Sequence, residues 1–253
     1  MINNRESISF FMLGYGQPKA TEKCLESVRK YYKNEKIIVF ENSTNVLKDI
    51  CVKYDAIHIH QPINYQKIRK ELGINYASML DINDFVIFME QHKIACELTN
   101  TKWLLFLESD CLLRRKFEYF PNASIGGHMH PFNKFRKDVF DSINYFRKNN
   151  HKNKYISSFS GGSIVNRKDL LTVCQSNWKE HIKYAIEKNK EYNTINNIKT
   201  SCEIRCRDAT LSYLFYINEF NIEDWHELTE VKHSNLYRAT TAAMVHDFKY
   251  FYE

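Results

Sequence analysis

Several features that would settle the class of this 253-residue chain are missing, and each absence removes an option. Its seven cysteines (Cys24, Cys51, Cys96, Cys111, Cys174, Cys202, Cys206) contain no C-x-x-C pair, and their number is odd. Several sit inside apolar or helical patterns, so reduced thiols are expected rather than a disulfide framework, with a cytoplasmic location to match. No apolar run approaches the roughly 18 residues of a membrane span, and residues 1–5 are polar. Neither a signal peptide nor a transmembrane segment is expected, although peripheral membrane association stays open. G-x-x-x-x-G-K-[ST] is absent, which excludes a P-loop kinase or NTPase, and the missing G-x-G-x-x-G weakens a nicotinamide-dependent oxidoreductase. There is no internal repeat, no low-complexity segment and no linker, so residues 1–253 are expected to form one domain. Charge of either sign is never concentrated. The net +6 is dispersed, and its densest clusters, Arg114-Arg115-Lys116 and residues 147–154, are too short for a nucleic-acid surface but suit a phosphorylated small ligand. Two sequons, Asn42-Ser43-Thr44 and Asn122-Ala123-Ser124, read as chance matches in a cytosolic chain.

What is present is an ordinary globular composition, 43% hydrophobic and 26% charged, long enough to bury a sizeable core. Residues 102–113 (KWLLFLESDCLL) organise the rest. An unbroken apolar run ending in Glu108-Ser109-Asp110 reads as a buried strand of a parallel sheet. Ligands of open α/β sheets bind outside the carboxyl ends of such strands, and two carboxylates one residue apart suit a hard divalent cation.

Upstream, residues 7–13 (SISFFML) are the first strand, stopping at Gly14-Tyr15-Gly16, where glycine permits a turn and a close approach to ligand. Pro18 opens a helix to about residue 32, and residues 36–40 (KIIVF) form the next strand, completing a right-handed βαβ unit. A helix over 44–54, a short strand over 56–60 and helices over 67–80 and 84–98 follow, the last capped by Asn83 or Asp84. His58 and His60 alternate on that strand and read as a surface-facing polar pair. The alternation predicts an open, mostly parallel α/β sheet.

Downstream the pattern is less regular. Residues 126–131 (GGHMHP) read as a loop, and its His128-x-His130 reads as part of a lid or acceptor surface more than a metal cage. Residues 155–159 and 163–166 flank Ser160-Gly161-Gly162-Ser163. Helices are expected over 138–148, 167–174, 178–189 and 207–218, an exposed loop over 191–199, and an irregular, partly extended stretch from 221.

Taken in order, these pieces resemble glycosyltransferases of the GT-A fold, particularly the inverting, metal-dependent, family-2-like type. The pieces are the βαβ unit, the E-x-D after a buried strand, the S-G-G-S turn, Asp208 opening a late helix, and Val245-His246-x-Phe248-Lys249. The resemblance implies a Rossmann-like sheet, with residues 1–113 as the nucleotide-sugar-binding half and 114–253 as the acceptor-binding half. It implies that Asp110, with Glu108 and His246, ligates Mn²⁺ or Mg²⁺ bridging the diphosphate of a nucleotide-sugar donor. Glu108 stands where the family's D-x-D motif has aspartate. Gly14, Tyr15 and Glu41 would close on base and ribose, Glu41 again being longer than the usual aspartate. Gly161 and Gly162 would let backbone approach the donor sugar, and Lys249 would touch phosphate. Asp208 would act as general base on a hydroxyl acceptor, whether glycan, lipid-linked or protein-linked, in a single inverting displacement.

Two other readings remain. A sugar nucleotidyltransferase would share the sheet and metal, but residues 14–18 (GYGQP) lack its basic, glycine-rich phosphate loop. A non-catalytic carbohydrate- or partner-binding module on an inherited fold belongs to a different class.

Overall fold

The computed structural model describes residues 7–14, 16–61, 82–127, 130–131, 144–146, 156–157, 161–197, 207–230 and 242–246. Three apolar runs make the centre of the main sheet: β1 (Ile8–Gly14), β2 (Ile37–Glu41) and β4 (Trp103–Leu107), each buried along its whole length. β1 pairs in parallel with both β2 and β4, and β2 in parallel with β3 (Ile57–His60). On the other side β9 (Ile164–Asn166) runs antiparallel to β4 and to β6 (Ile125–Gly127), and β10 (Ile222–Asp224) closes that edge parallel to β6. The strand order is β10-β6-β9-β4-β1-β2-β3. This is the mixed α/β, mostly parallel sheet that the alternation predicts.

Because strand side chains alternate, each strand feeds two cores. Phe11, Leu13, Ile38, Phe40, Leu104 and Phe106 point to the face covered by α3 (Ile82–Glu97), α4 (Arg167–Gln175), α5 (Trp178–Ile195) and α6 (Arg207–Ile217). Phe10, Met12, Ile37, Val39, Leu105 and Leu107 point to the face covered by α1 (Pro18–Tyr31) and by Leu47 and Cys51, which flank and lie on α2 (Lys48–Lys53). Burying each large side chain of this kind contributes about 1.5–3 kcal/mol. Arg29 fastens the α1 side, donating to the carbonyls of Tyr32, Glu35, Tyr54 and Asp55 at 2.7–3.1 Å, where two helices end with unpaired carbonyls.

Several boundaries differ from expectation. α3 is described from Ile82, with Asn83 and Asp84 inside it. α5 runs on to Ile195, through part of the stretch read as a loop. The helix expected over 44–54 is shortened to Lys48–Lys53 by a loop at 42–47. Gly126 and Gly127, read as loop, belong to β6: a Cβ on Gly126 would stand 2.8 Å from Pro121 Cγ and 3.0 Å from Trp225 Cβ, so only glycine lets the strand approach them. The helix expected over 67–80 lies outside the described residues. A second sheet, β11 (Leu228–Glu230), β12 (Met244–His246) and β5 (Leu112–Leu113), is built on the chain immediately after the E-x-D, and β7 (His130–Pro131) pairs antiparallel with β8 (Ile156–Ser157).

Candidate functional site

The carboxyl end of β4 turns at once. Cys111 N–H donates to the Glu108 carbonyl at 3.0 Å, and Glu108 N–H returns to Cys111 Sγ at 3.4 Å, folding Glu108-Ser109-Asp110 into a tight turn. Ser109 Oγ donates to Gln17 Oε1 at 2.6 Å, tying the turn to the residue that precedes α1. Glu108 and Asp110 are half-buried while Ser109 is buried. Burial pushes the Cys24 and Cys111 thiols well above their ordinary range, and the nearby Asp110 carboxylate adds to the effect. Both cysteines are therefore neutral thiols at physiological pH and not nucleophiles.

After the turn, β5 pairs antiparallel with β12, Leu113 opposite Met244 and Leu112 opposite Val245. One further step in that register sets the His246 backbone against Cys111, next to Asp110. The 108–110 turn and residue 246, far apart in sequence, thus share one corner. Gly161 and Gly162 border it. Gly162 N–H donates to the Phe106 carbonyl at 2.7 Å and Phe106 N–H to the Ser163 carbonyl at 2.8 Å, which fixes the glycine turn beside the end of β4. Gly162 has φ +88°, and a Cβ there would stand 2.5 Å from Leu228 Cδ1 and 3.0 Å from Met244 Cγ. Its lack of a side chain therefore lets the second sheet close on the first. Ser163 Oγ is fully buried with no hydrogen-bond partner.

Asp208 is the second residue of α6, as the helix expected over 207–218 places it. α6 leads into β10, which runs in the same direction as β6 and β4.

Glu41 ends β2, in register with Gly14 on one side and His60 on the other. Its side chain is 0% exposed, and all four carboxylate acceptor positions are filled. Oε1 accepts from Ser43 Oγ at 2.9 Å and Val46 N–H at 2.6 Å; Oε2 accepts from Leu47 N–H at 3.1 Å and faces His58 Nε2 at 2.8 Å. Burial by itself would raise the pKa, but the contacts from His58, Ser43 and the Leu47 and Val46 amides outweigh it and hold this carboxyl below the usual range. Glu41 is thus the anchor of the 42–47 loop, with no acceptor position left for a ribose. His58 and His60 are not simply surface-facing: His58 meets Glu41, and His60 Nε2 meets the Ser43 carbonyl at 2.9 Å. Gly14 serves the same loop, since a Cβ there would stand 2.5 Å from Leu47 Cδ1.

Residues Tyr15, Lys249 and His128 lie outside the described residues, and Asp208, His130 and His246 are described by their backbone. Among the described residues no group of three or more His, Cys, Asp or Glu side chains is gathered for a metal. The two oxygen donors Glu108 and Asp110, on one turn, have the chemistry a hard divalent cation takes.

Three features escaped sequence reasoning: the Glu41–His58 contact, the buried amides of Asn42 and Gln91, and Glu227. Glu227 is 0% exposed; Oε1 accepts from the Glu118 and Tyr119 amides at 3.0 and 3.1 Å, and Oε2 pairs with Arg115 at 2.7 Å, holding the chain after β5. No spacing in the sequence signals these long-range pairs.

The fold is of the GT-A, Rossmann-like α/β class. No protein-family model matches the chain, and no curated protein matches it in sequence. Among solved structures, the galactosyltransferase LgtC, crystallised with donor and acceptor sugar analogues, is similar with a TM-score of 0.51 over 94% of this chain and 86% of that one, at 12% identity. At that identity the likeness shows the fold alone. No helix among the described residues is long and apolar enough to cross a membrane.

Proposed function

We propose that the chain is a glycosyltransferase that moves a sugar from a nucleoside-diphosphate-sugar to a hydroxyl acceptor by a single, inverting displacement. The observation that carries this reading is the corner where the E-x-D turn, the Gly161-Gly162 turn and the β12 strand ending in His246 converge at the carboxyl end of the sheet. Likeness in fold to a galactosyltransferase supports it.

In this reading Asp110, Glu108 and His246 hold Mn²⁺ or Mg²⁺. When bound, that cation supplies Lewis-acid stabilisation of the charge building on the leaving diphosphate. Gly161 keeps a side chain out of the space for the donor sugar, Gly162 lets the second sheet close beside it, and Tyr15 and Lys249 contribute to base and phosphate binding. Glu41 acts indirectly, fixing the loop beside Gly14. Asp208 accepts the proton from the acceptor hydroxyl as the new glycosidic bond forms, a role worth about 10²–10⁴-fold in rate. The chain works as one domain in the cytoplasm, donor half first and acceptor half second.

The test is Asp208→Asn. Transfer should fall by about 10²–10⁴-fold, with nucleotide-sugar affinity unchanged by calorimetry and product of inverted anomeric configuration by NMR. Wild-type transfer by this variant would remove the base assignment, and retained configuration would remove the single displacement.

A further inference from the structure

Between the two carboxylates of the E-x-D turn stands Ser109, 6% exposed, while Glu108 and Asp110 on either side are half-buried. Its hydroxyl donates to Gln17 Oε1 at 2.6 Å, across 92 residues of sequence. Gln17 occupies the N-cap position of α1, yet its side chain makes no capping hydrogen bond there. Glutamine is not among the residues that favour that position, and its length suits a partner farther off. The root of the side chain is nevertheless fixed, because the Gln17 carbonyl accepts from Thr21 N–H at 2.9 Å and Pro18 opens the helix. Farther along α1, Ser27 Oγ accepts from Leu113 N–H at 3.0 Å and donates to the Cys24 carbonyl at 2.7 Å. One helix thus grips the chain at residue 109 and again at residue 113, and the turn itself is closed by the contacts between Glu108 and Cys111.

The grip at Ser109 extends to the loops at the ends of β1 and β2. Gly16 has φ +75°, and a Cβ there would stand 2.9 Å from Ser43 Oγ, whose hydroxyl donates to Glu41. The backbone at Gly16 therefore lies against the loop that Glu41 anchors, and Gln17 carries that anchorage to the end of β4. Two carboxylates on one turn repel each other until a cation arrives, so the angle they present is set by whatever holds the turn. Rotating the backbone at Ser109 re-aims both at once. Partners that orient metal ligands without touching the metal typically change its affinity by about 10–100-fold.

We propose that Gln17 is a positioning residue for the metal turn. By holding Ser109 it sets the direction of Glu108 and Asp110, so that the share of nucleotide binding that depends on the cation depends on Gln17 as well. The inference rests on the nucleotide-sugar reading above and deepens it, assigning a residue that acts through the turn and touches neither the cation nor the nucleotide.

The test is calorimetric titration of the four common nucleoside diphosphates, each with and without Mn²⁺, into wild type, Gln17→Leu, Ser109→Ala and the double variant. Gln17 is exposed, so Gln17→Leu is expected to fold, and thermal melts check all three variants. For the nucleoside diphosphate that wild type binds best, the gain in affinity on adding Mn²⁺ should shrink at least about 10-fold in each single variant, with metal-free affinity unchanged. The double variant should lose no more than the worse single one, because the two side chains act as one contact. In the metal-free protein, amide exchange over residues 108–111 should quicken in both single variants, a response that a direct contact between Gln17 and the cation would not produce. An undiminished manganese gain in either folded variant, losses that multiply in the double variant, or a lost gain with unaltered exchange overturns the assignment while leaving the transferase reading standing. If neither single variant folds, the hydrogen bond is a structural one and the assignment falls. If wild type binds no nucleoside diphosphate with or without Mn²⁺, the transferase reading itself fails and the positioning role falls with it.

Discussion

Replacing Glu41 tests whether the loop at the end of β2 is built by one buried carboxylate. Glu41→Ala removes the acceptor for two amides, one hydroxyl and His58. Val46 is 45% exposed, so water takes over its N–H, and Ser43 is half-buried and similarly rescued. The buried Leu47 N–H and His58, whose side chain is only 13% exposed, are not rescued. Removing one partner from a buried pair of this type costs about 3–5 kcal/mol. For a chain of this length each kcal/mol lowers Tm by about 2–4 °C, so a fall of about 6–20 °C is expected. Glu41→Gln keeps one oxygen for Ser43 and Val46 but presents an NH₂ to the Leu47 N–H, and about 1–3 kcal/mol is expected. The sign with pH follows from the lowered pKa. The contribution is fully present above the unfolded value near 4.5 and is lost as pH falls through the lower folded value, because the unfolded chain takes up the proton first. Denaturant melts of the ligand-free protein from pH 7 down to 3 would show wild type losing stability on the acid side and Glu41→Gln losing less. Equal stability of wild type and Glu41→Ala, with equal acid slopes, would refute the reasoning.

Gly162→Ala forces a side chain onto a backbone at φ +88° and against Leu228, and should cost about 1–3 kcal/mol, read as a lower urea midpoint at unchanged m-value. Glu227→Ala strips the Glu118 and Tyr119 amides and Arg115 of a common acceptor. A loss of about 2–3 kcal/mol is expected, with faster amide exchange confined to residues 115–119 as the local check.

The centre of the sheet was readable because its strands are buried on both faces. A strand such as β4 then has no polar side chain until it ends, and Glu108-Ser109-Asp110 marks that end. The parallel order of β1, β2 and β4 followed from the intervening helix and the handedness of the crossover. β6 was not readable, since its two glycines look like a loop until Pro121 and Trp225 are seen to occupy the side-chain space. The end of α5 was missed because its last turn is polar on every side and only its continuation from Trp178 makes it helical. In the site, residue types at strand ends pointed to Asp110 and the glycine turns. The roles of Glu41, Glu227 and Gln17 depend on partners 2 to 109 residues away, which no local pattern encodes.

The central claim is that a cation held through Asp110 bridges the protein to a nucleoside diphosphate. Its most direct measurement is calorimetric titration of nucleoside diphosphate into wild type and Asp110→Ala, each with and without Mn²⁺. Wild type should bind far more tightly with Mn²⁺ than without it, and Asp110→Ala should show no such gain while melting at a similar temperature. A manganese-dependent gain of equal size in Asp110→Ala would contradict the account.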